Sequence, residues 1–244
     1  MTIADRAQRV RDRVRATVNT DAFLVSNITN IRWLTGFTGS NGWVLLDPDG
    51  LTLITDGRYG QQAAQQMAAS RVDGNVLVGA TSALVIEHIV NTCNRFRRIA
   101  FEAAHVTFAQ HAQYVHAIAS ELVPATGVVE AERRIKNADE IERIAEACRI
   151  ADQALAEVAP TLTDELTEAQ VRNQLEIRMR ELGAIGPSYE TIVATGPINA
   201  ALPHHRPTST LIESGNTVII DVGALVDGYH SDMTRTFVIG EPTS

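Results

Sequence analysis

Short apolar runs rich in β-forming residues alternate with helix-like stretches over the first half of the chain. The first run is Ala22–Val25, and the runs Trp43–Leu46 and Leu51–Ile54 flank turn residues and predict a hairpin. A Gln- and Ala-rich stretch from Tyr59 to Ala69 predicts a helix. The other elements predicted here are strands at Asn75–Val78, Arg98–Phe101 and Leu122–Val123, and helices at Ser82–Asn94 and Phe108–Ala119. Alternation of this kind predicts an α/β layer domain.

Near residue 130 the pattern changes to two long amphipathic helices followed by strands. Asn137 predicts the start of the first helix and Pro160 its end, while Thr167 and Gly183 predict the start and end of the second. The first helix is expected to bury the apolar positions Ile141, Ile144, Cys148, Ala151, Leu155 and Val158. Strands are predicted at Thr191–Ala194, Thr217–Val222 and Tyr229–Val238. We therefore predict two domains, residues 1–130 and residues 131–244.

The charge of the chain narrows the choice of partners. The net charge is −8, and all of the excess lies in residues 131–244, which hold 10 basic and 18 acidic residues. An acidic surface repels phosphate groups, so neither nucleic acid nor an anionic membrane is the expected partner. Solubility alone would explain the same excess.

Cysteine use and hydropathy bear on the compartment. Cys93 and Cys148 show no metal or disulfide spacing, and we expect both to be small buried apolar residues. The first residues carry arginines on an amphipathic helix rather than an apolar signal core, and no apolar run approaches the ~18–20 residues of a membrane span. A soluble, cytoplasmic protein is expected.

The segment Thr217–Phe237 carries the most informative chemistry. Its two β-rich runs surround Asp227-Gly228, a favoured two-residue hairpin turn. In that register Asp221 and Asp232 are diagonal neighbours on one face, roughly 7–8 Å apart. Gly223 lies opposite Asp232, and we expect its missing side chain to leave room for an ion or a substrate.

Two readings of this pair remain open on spacing alone. Neighbouring carboxylates repel, and a divalent cation such as Mn²⁺ compensates them through oxygen ligation. A solvated hairpin whose acids face water explains the same spacing. His204, in a proline-rich segment that predicts a loop, is likewise either a proton carrier or an ordinary exposed histidine.

Taken together, several segments resemble the Xaa-Pro branch of the pita-bread metallopeptidases, the prolidases and aminopeptidase P. Asn30–Phe37 and Thr55–Tyr59 are similar to the creatinase-like N-terminal domain of that family. Leu202–His204, Ile220–Ala224 and Ser231–Phe237 are similar to its catalytic domain. The resemblance covers essentially the whole chain. It implies an α/β creatinase-like N-terminal domain followed by the first half of an α+β pita-bread catalytic domain.

The resemblance also implies roles for individual residues. Asp221 would be a terminal ligand of one metal, Asp232 would bridge two metals, and His204 would contact the substrate near the scissile bond. The implied reaction is hydrolysis of the peptide bond before proline in proline-containing peptides. The implied cofactors are two divalent metal ions, Mn²⁺ first, with Co²⁺ or Zn²⁺ as alternatives. The implied oligomer is a homodimer.

The family pattern continues beyond Ser244 with a metal-ligating His and two metal-ligating Glu residues. We therefore expect this chain to be a fragment, and its metal site to be incomplete or empty. Methionine aminopeptidase has a similar Asp pair but lacks such an N-terminal domain, and creatinase shares the architecture but works without metal. A non-catalytic relative that serves as a binding or dimerisation module is the alternative from a different class.

Overall fold

The computed structural model describes residues 3–242, and the chain forms two compact units that meet between Ile135 and Lys136. Within the described residues, no helix combines the length and the apolar character needed to cross a bilayer.

The N-terminal unit is built on one six-stranded sheet with the order β4-β3-β2-β1-β5-β6. The strands are β1 (Ala22–Val25), β2 (Gly42–Asp47), β3 (Gly50–Asp56), β4 (Asn75–Gly79), β5 (Arg98–Glu102) and β6 (Glu121–Ala125). β2 runs antiparallel to β1 and β3, and the remaining pairs are parallel. The predicted hairpin corresponds to β2 and β3, so that prediction is confirmed.

Helices cover both faces of this sheet. They are α1 (Ile3–Val18), α2 (Ile28–Thr35), α3 (Gly60–Ala69), α4 (Ser82–Cys93), α5 (Phe108–Ala117) and α6 (Val128–Arg133). Phe23 and Val25 pack into one core, while Ala22 and Leu24 pack into another, because successive strand residues point to opposite faces. The predicted α/β layer arrangement is confirmed.

Two short helices of this unit escaped the sequence analysis. α2 begins after Asn27, whose side chain accepts from the backbone N–H of Thr29, and α6 begins after Gly127. Both are too short for a recurring apolar period to stand out. α6 is nevertheless joined to α1 by ion pairs. Its buried Glu132 binds Arg9 at 2.6 Å and Arg13 at 2.5 Å.

The C-terminal unit packs two long helices against two three-stranded sheets. The helices are α7 (Ala138–Val158), α8 (Glu168–Glu181) and the short α9 (Gly196–Asn199), with a 3₁₀ turn at Ala159–Thr161. The strands are β7 (Gly186–Pro187), β8 (Ile192–Thr195), β9 (Thr217–Val222), β10 (Ala224–Val226), β11 (Tyr229–His230) and β12 (Met233–Val238). One sheet has the order β11-β10-β7 and the other β12-β9-β8. Both predicted capping boxes, at Asn137 and Thr167, are confirmed.

The buried face of α7 differs from the predicted one. Ala147, Ile150 and Ala154 are buried together with the predicted Ala151, Leu155 and Val158. Ile141 and Cys148 are exposed, so the expectation that Cys148 is buried was wrong, whereas Cys93 is buried. The predicted stripe left out Ala147, Ile150 and Ala154, which belong to the contact surface together with Ala151, Leu155 and Val158.

Candidate metal centre

The hairpin that carries Asp221 and Asp232 has the predicted register. Val226 pairs with Tyr229, and Asp221 pairs with Thr234. Asp227 and Gly228 both have positive φ, 47° and 82°, as a two-residue turn of type I′ requires. The turn thus fixes which residues face each other along the two strands.

The absence of a side chain at Gly223 has a different structural reason from the predicted one. A Cβ atom at this position would lie 2.0 Å from the carbonyl oxygen of Ser231 and 2.9 Å from Oγ of Ser188. The backbone of Ser231 and the side chain of Ser188 therefore fill the space beside Gly223. The expectation that this space accommodates an ion or a substrate was wrong. The glycine instead permits a close approach of two backbone segments where the hairpin passes from one sheet to the other.

The two carboxylates converge on the hydroxyl group of Tyr189. This hydroxyl lies 2.7 Å from Oδ1 of Asp221 and 2.9 Å from Oδ1 of Asp232. The two carboxylate oxygens can therefore be no farther apart than the sum of those distances. Asp221 also accepts from the hydroxyl of Thr234, its partner across the hairpin, at 3.0 Å.

Tyr189 reaches this position from the short segment between β7 and β8. The backbone N–H of Ser188 donates to the carbonyl of Gly223 at 2.8 Å, and Ile192 pairs with Asp221 across β8 and β9. Removal from water and then the two carboxylates raise the pKa of Tyr189 far above its ordinary value. The hydroxyl therefore stays protonated and donates into the acidic pair.

One hydroxyl proton cannot satisfy two carboxylates at the same time, since a tyrosine has a single O–H donor. Negative charge is thus concentrated at a place where Asp232 is exposed and Asp221 is half-buried. A cation with a preference for oxygen ligands fits this donor set. Among residues 3–242, however, no group of three or more His, Cys, Asp or Glu side chains is arranged to hold a metal ion. The described residues therefore bring together two carboxylates, which are the type of donor that such a cation prefers.

The same carboxylates lie on a cavity of about 490 Å³ in the C-terminal unit. Its lining residues are Tyr189, Glu190, Ile192, Pro203, His204, His205, Arg206, Asp221 and Asp232. The structure thus brings the three residues singled out from the sequence to one cavity. His204 is exposed, and the ion pair between Arg206 and Glu190, at 3.2 Å, lies beside it.

The loop that carries His204 is attached to the first residue of α8. Glu168 is fully buried, and its carboxylate accepts hydrogen bonds from four residues of the segment 195–208. These donors are the backbone N–H of Thr195, Nδ2 of Asn199, Nε2 of His205, and both the N–H and the hydroxyl of Thr208, at 2.8–3.0 Å. Since an ionised carboxylate only accepts, Nε2 of His205 carries the proton.

Sequence reasoning missed Tyr189 and Glu168. Tyr189 is recognisable only when β8 is known to pair with β9, a long-range pairing that no turn signal announces. Glu168 follows the helix-capping Thr167, where an acidic residue is expected for reasons local to the helix. Its complete burial is a tertiary property that the local pattern does not reveal.

Comparison with known proteins gives two matches to family models. Residues 6–135 match the creatinase/prolidase N-terminal domain, and residues 142–244 match metallopeptidase family M24. An uncharacterized peptidase of Bacillus subtilis, YqhT, is 37% identical over 226 residues, which is 91% of this chain and 62% of that protein. The Xaa-Pro dipeptidase of Pyrococcus furiosus is 43% identical over 110 residues, which is 45% of this chain and 31% of that protein.

Solved structures agree with these matches. The Xaa-Pro dipeptidase from Bacillus anthracis has a TM-score of 0.93 and 33% identity, and the match covers 99% of this chain and 66% of that one. An X-Pro aminopeptidase from Thermotoga maritima has a TM-score of 0.82 and 32% identity, covering 95% of this chain and 66% of that one. The chain therefore spans less than two thirds of the length of these relatives. The expected fold class, a creatinase-like domain followed by part of a pita-bread domain, is confirmed.

Proposed function

Because the chain belongs to metallopeptidase family M24 and carries a creatinase/prolidase N-terminal domain, we propose that it serves metal-dependent hydrolysis of the peptide bond before proline. The observation that carries the proposal is the convergence of Asp221 and Asp232 on Tyr189 within the cavity that His204 lines. The names of similar proteins, Xaa-Pro dipeptidase and X-Pro aminopeptidase, support proline-containing peptides as substrates.

In this proposal Asp221 and Asp232 are the residues of this chain that would hold the divalent cations. Mn²⁺ suits their oxygen ligands best, and Co²⁺ or Zn²⁺ are the alternatives. When bound, such ions polarise the scissile carbonyl and lower the pKa of water towards neutrality. Further ligands are required beyond this pair, because two carboxylates do not complete the coordination of either metal.

The residues of this chain have distinct tasks in the reaction. His204 lies exposed at the cavity and offers a ring nitrogen to the substrate near the scissile bond. Tyr189 keeps its proton and donates to the carboxylates, which holds both side chains on one side of the hairpin. Thr234 holds Asp221 from the opposite strand. We propose that residues 131–244 supply this chemistry.

Titration with MnCl₂ tests the metal site in a protein that joins this chain to the further ligands, because Asp221 and Asp232 alone do not complete it. Wild-type protein should bind Mn²⁺ in a calorimetric titration, and Asp232→Asn should lose that binding while its circular dichroism spectrum is unchanged. Asp152→Asn, which removes the same charge from an exposed position on α7, is the matched control and should bind as wild type does. Undiminished binding by Asp232→Asn would remove this residue from the metal site.

Cleavage of an Ala-Pro peptide in the presence of Mn²⁺ tests the reaction. In the protein that joins this chain to the further metal ligands, we expect cleavage of Ala-Pro but not of Ala-Ala, and loss of Ala-Pro cleavage in Asp232→Asn. Cleavage that survives full removal of metal by a chelator would contradict metal dependence.

A non-catalytic binding module is the second candidate. It would use the same cavity, which His204, Asp221 and Asp232 line. Such a module would bind a proline-containing peptide without metal and release it intact. Isothermal titration with Ala-Pro, followed by mass spectrometry of the peptide, separates the two functions.

Two further expectations rest on the family resemblance. A homodimer is proposed, and sedimentation equilibrium of the purified chain tests it. A cytoplasmic location is proposed as well, and fractionation of the producing cells tests it.

A further inference from the structure

We propose that Glu168 is the positioning residue that fixes the loop 195–208 and thereby sets the place of His204 in the cavity. This inference rests on the proposed function, in which His204 contacts the substrate. Glu168 itself does not line the cavity, and it acts on His204 through the loop.

The donors on Glu168 are spread over the whole loop. Thr195 lies at the end of β8, Asn199 ends α9, and Thr208 lies where the chain returns towards α8. A single buried carboxylate therefore ties the beginning, the middle and the end of a proline-containing loop to one point. Without it, the backbone N–H groups at both ends would lose their buried partner, which is unfavourable.

His204 lies in a turn whose closing residue belongs to the same network. The backbone N–H of His205 donates to the carbonyl of Leu202 at 3.3 Å, so Pro203 and His204 occupy the two central turn positions. The side chain of His205 is buried against Glu168, with Nε2 2.8 Å from Oε2. His205 is thus held in the interior by Glu168, while the preceding residue, His204, is exposed at the cavity.

The network requires an ionised carboxylate rather than a neutral group of the same shape. Oε1 accepts the backbone N–H of Thr195, and Oε2 accepts the backbone N–H of Thr208. A glutamine at position 168 would direct its NH₂ group at one of these N–H groups in either orientation of the amide. Burial alone would raise the pKa of Glu168, but the hydrogen bonds outweigh burial and hold the pKa below the ordinary value.

Amide hydrogen exchange of Glu168→Gln tests the anchor without any need for catalysis. We expect amides in residues 195–208 to exchange at least about tenfold faster than in wild type, with protection of α7 and β9 unchanged. The ring resonance of His204, expected as a single sharp signal in wild type, should broaden or split. Glu165→Gln, an exposed position three residues earlier, is the matched control and should exchange as wild type does. Wild-type exchange in Glu168→Gln would overturn the proposal.

In the protein that joins this chain to the further metal ligands, kinetics with Ala-Pro and Mn²⁺ provide a readout that loss of stability alone would not produce. Glu168→Gln should lower kcat by about tenfold or more with little change of Mn²⁺ affinity, and Glu168→Asp, which keeps the charge, should recover part of kcat. An unchanged kcat in Glu168→Gln with a disordered loop would refute the link to His204. If no variant and not even wild type cleaves Ala-Pro, the proposed function fails, while exchange and the His204 resonance still decide the anchor.

A milder variant keeps the test decisive should Glu168→Gln not fold. Asn199→Ala removes one donor and leaves both backbone N–H groups on Glu168. Exchange should then accelerate by a smaller factor and mainly around residues 196–204. Uniform acceleration across the whole unit would indicate general destabilisation and count against a local anchor.

Discussion

Asp221→Asn should stabilise the metal-free protein while removing its response to metal. The asparagine keeps Oδ1 as an acceptor for Tyr189 and for Thr234, so the hydrogen bonds at 2.7 and 3.0 Å are retained. The substitution removes one of the two negative charges, those of Asp221 and Asp232, that lie beside the Tyr189 hydroxyl. The substitution therefore isolates the electrostatic repulsion from the packing.

The size of the effect follows from the separation of the two charges. Two unit charges roughly 5 Å apart repel by about 3 kcal/mol at an effective dielectric constant near 20, and by under ~1 kcal/mol in water. Because Asp232 is exposed, water screens the pair, and the repulsion is closer to the value in water. We expect a gain of about 1 kcal/mol in unfolding free energy, which corresponds to a rise of about 2–4 °C in melting temperature.

Calorimetric melting curves in EDTA and in MnCl₂ measure both halves of this prediction. In the protein that also carries the further metal ligands, wild type should melt below Asp221→Asn in EDTA and above it in MnCl₂, so that the order of the two proteins reverses. Asp152→Asn, with the same change in net charge, should not alter the melting temperature in EDTA. The reasoning is refuted if Asp221→Asn melts at or below the wild-type temperature in EDTA, because the carboxylates would then not repel each other.

Three other substitutions address the same unit. Gly223→Ala should lower the unfolding free energy in urea denaturation by about 1–3 kcal/mol, because its Cβ would lie 2.0 Å from the Ser231 carbonyl oxygen. Wild-type stability of this variant would show that the two backbone segments can move apart at no cost. Tyr189→Phe should make the unfolding free energy less dependent on pH above pH 10, because the raised pKa of Tyr189 contributes stability that is present below pH ~10 and lost at higher pH. Identical pH profiles of wild type and Tyr189→Phe would contradict the raised pKa. Glu168→Gln should flatten the profile below pH 4.5, because a lowered pKa contributes stability that is lost as the pH falls, and a slope as steep as that of wild type would exclude Glu168 as its source.

The sequence was most informative where a short-range signal determines a long-range arrangement. The turn at Asp227-Gly228 admits a single register, and that register places Asp221 and Asp232 on one face. Capping residues similarly predicted the starts of α7 and α8, because a cap depends on residues only three positions apart.

The remainder of the site depends on contacts that the local pattern does not contain. The pairing of β8 with β9 brings Tyr189 to the carboxylates, and the fold of residues 195–208 buries Glu168. The role of Gly223 was misread for a related reason. A missing side chain indicates close contact, but the sequence does not say whether a ligand or another part of the backbone makes it.

The position of β12 at the end of its sheet bears on how the protein behaves at high concentration. Within the described residues β12 pairs with β9 alone, and its outer side offers backbone groups that a second copy could use to extend the sheet. Three residues of β12 are both polar and exposed, namely Thr234, Arg235 and Thr236. Polar and charged side chains on an edge strand oppose such pairing between two copies. Replacing Arg235 by an aliphatic residue would remove the charge that keeps these strands apart and would favour aggregation.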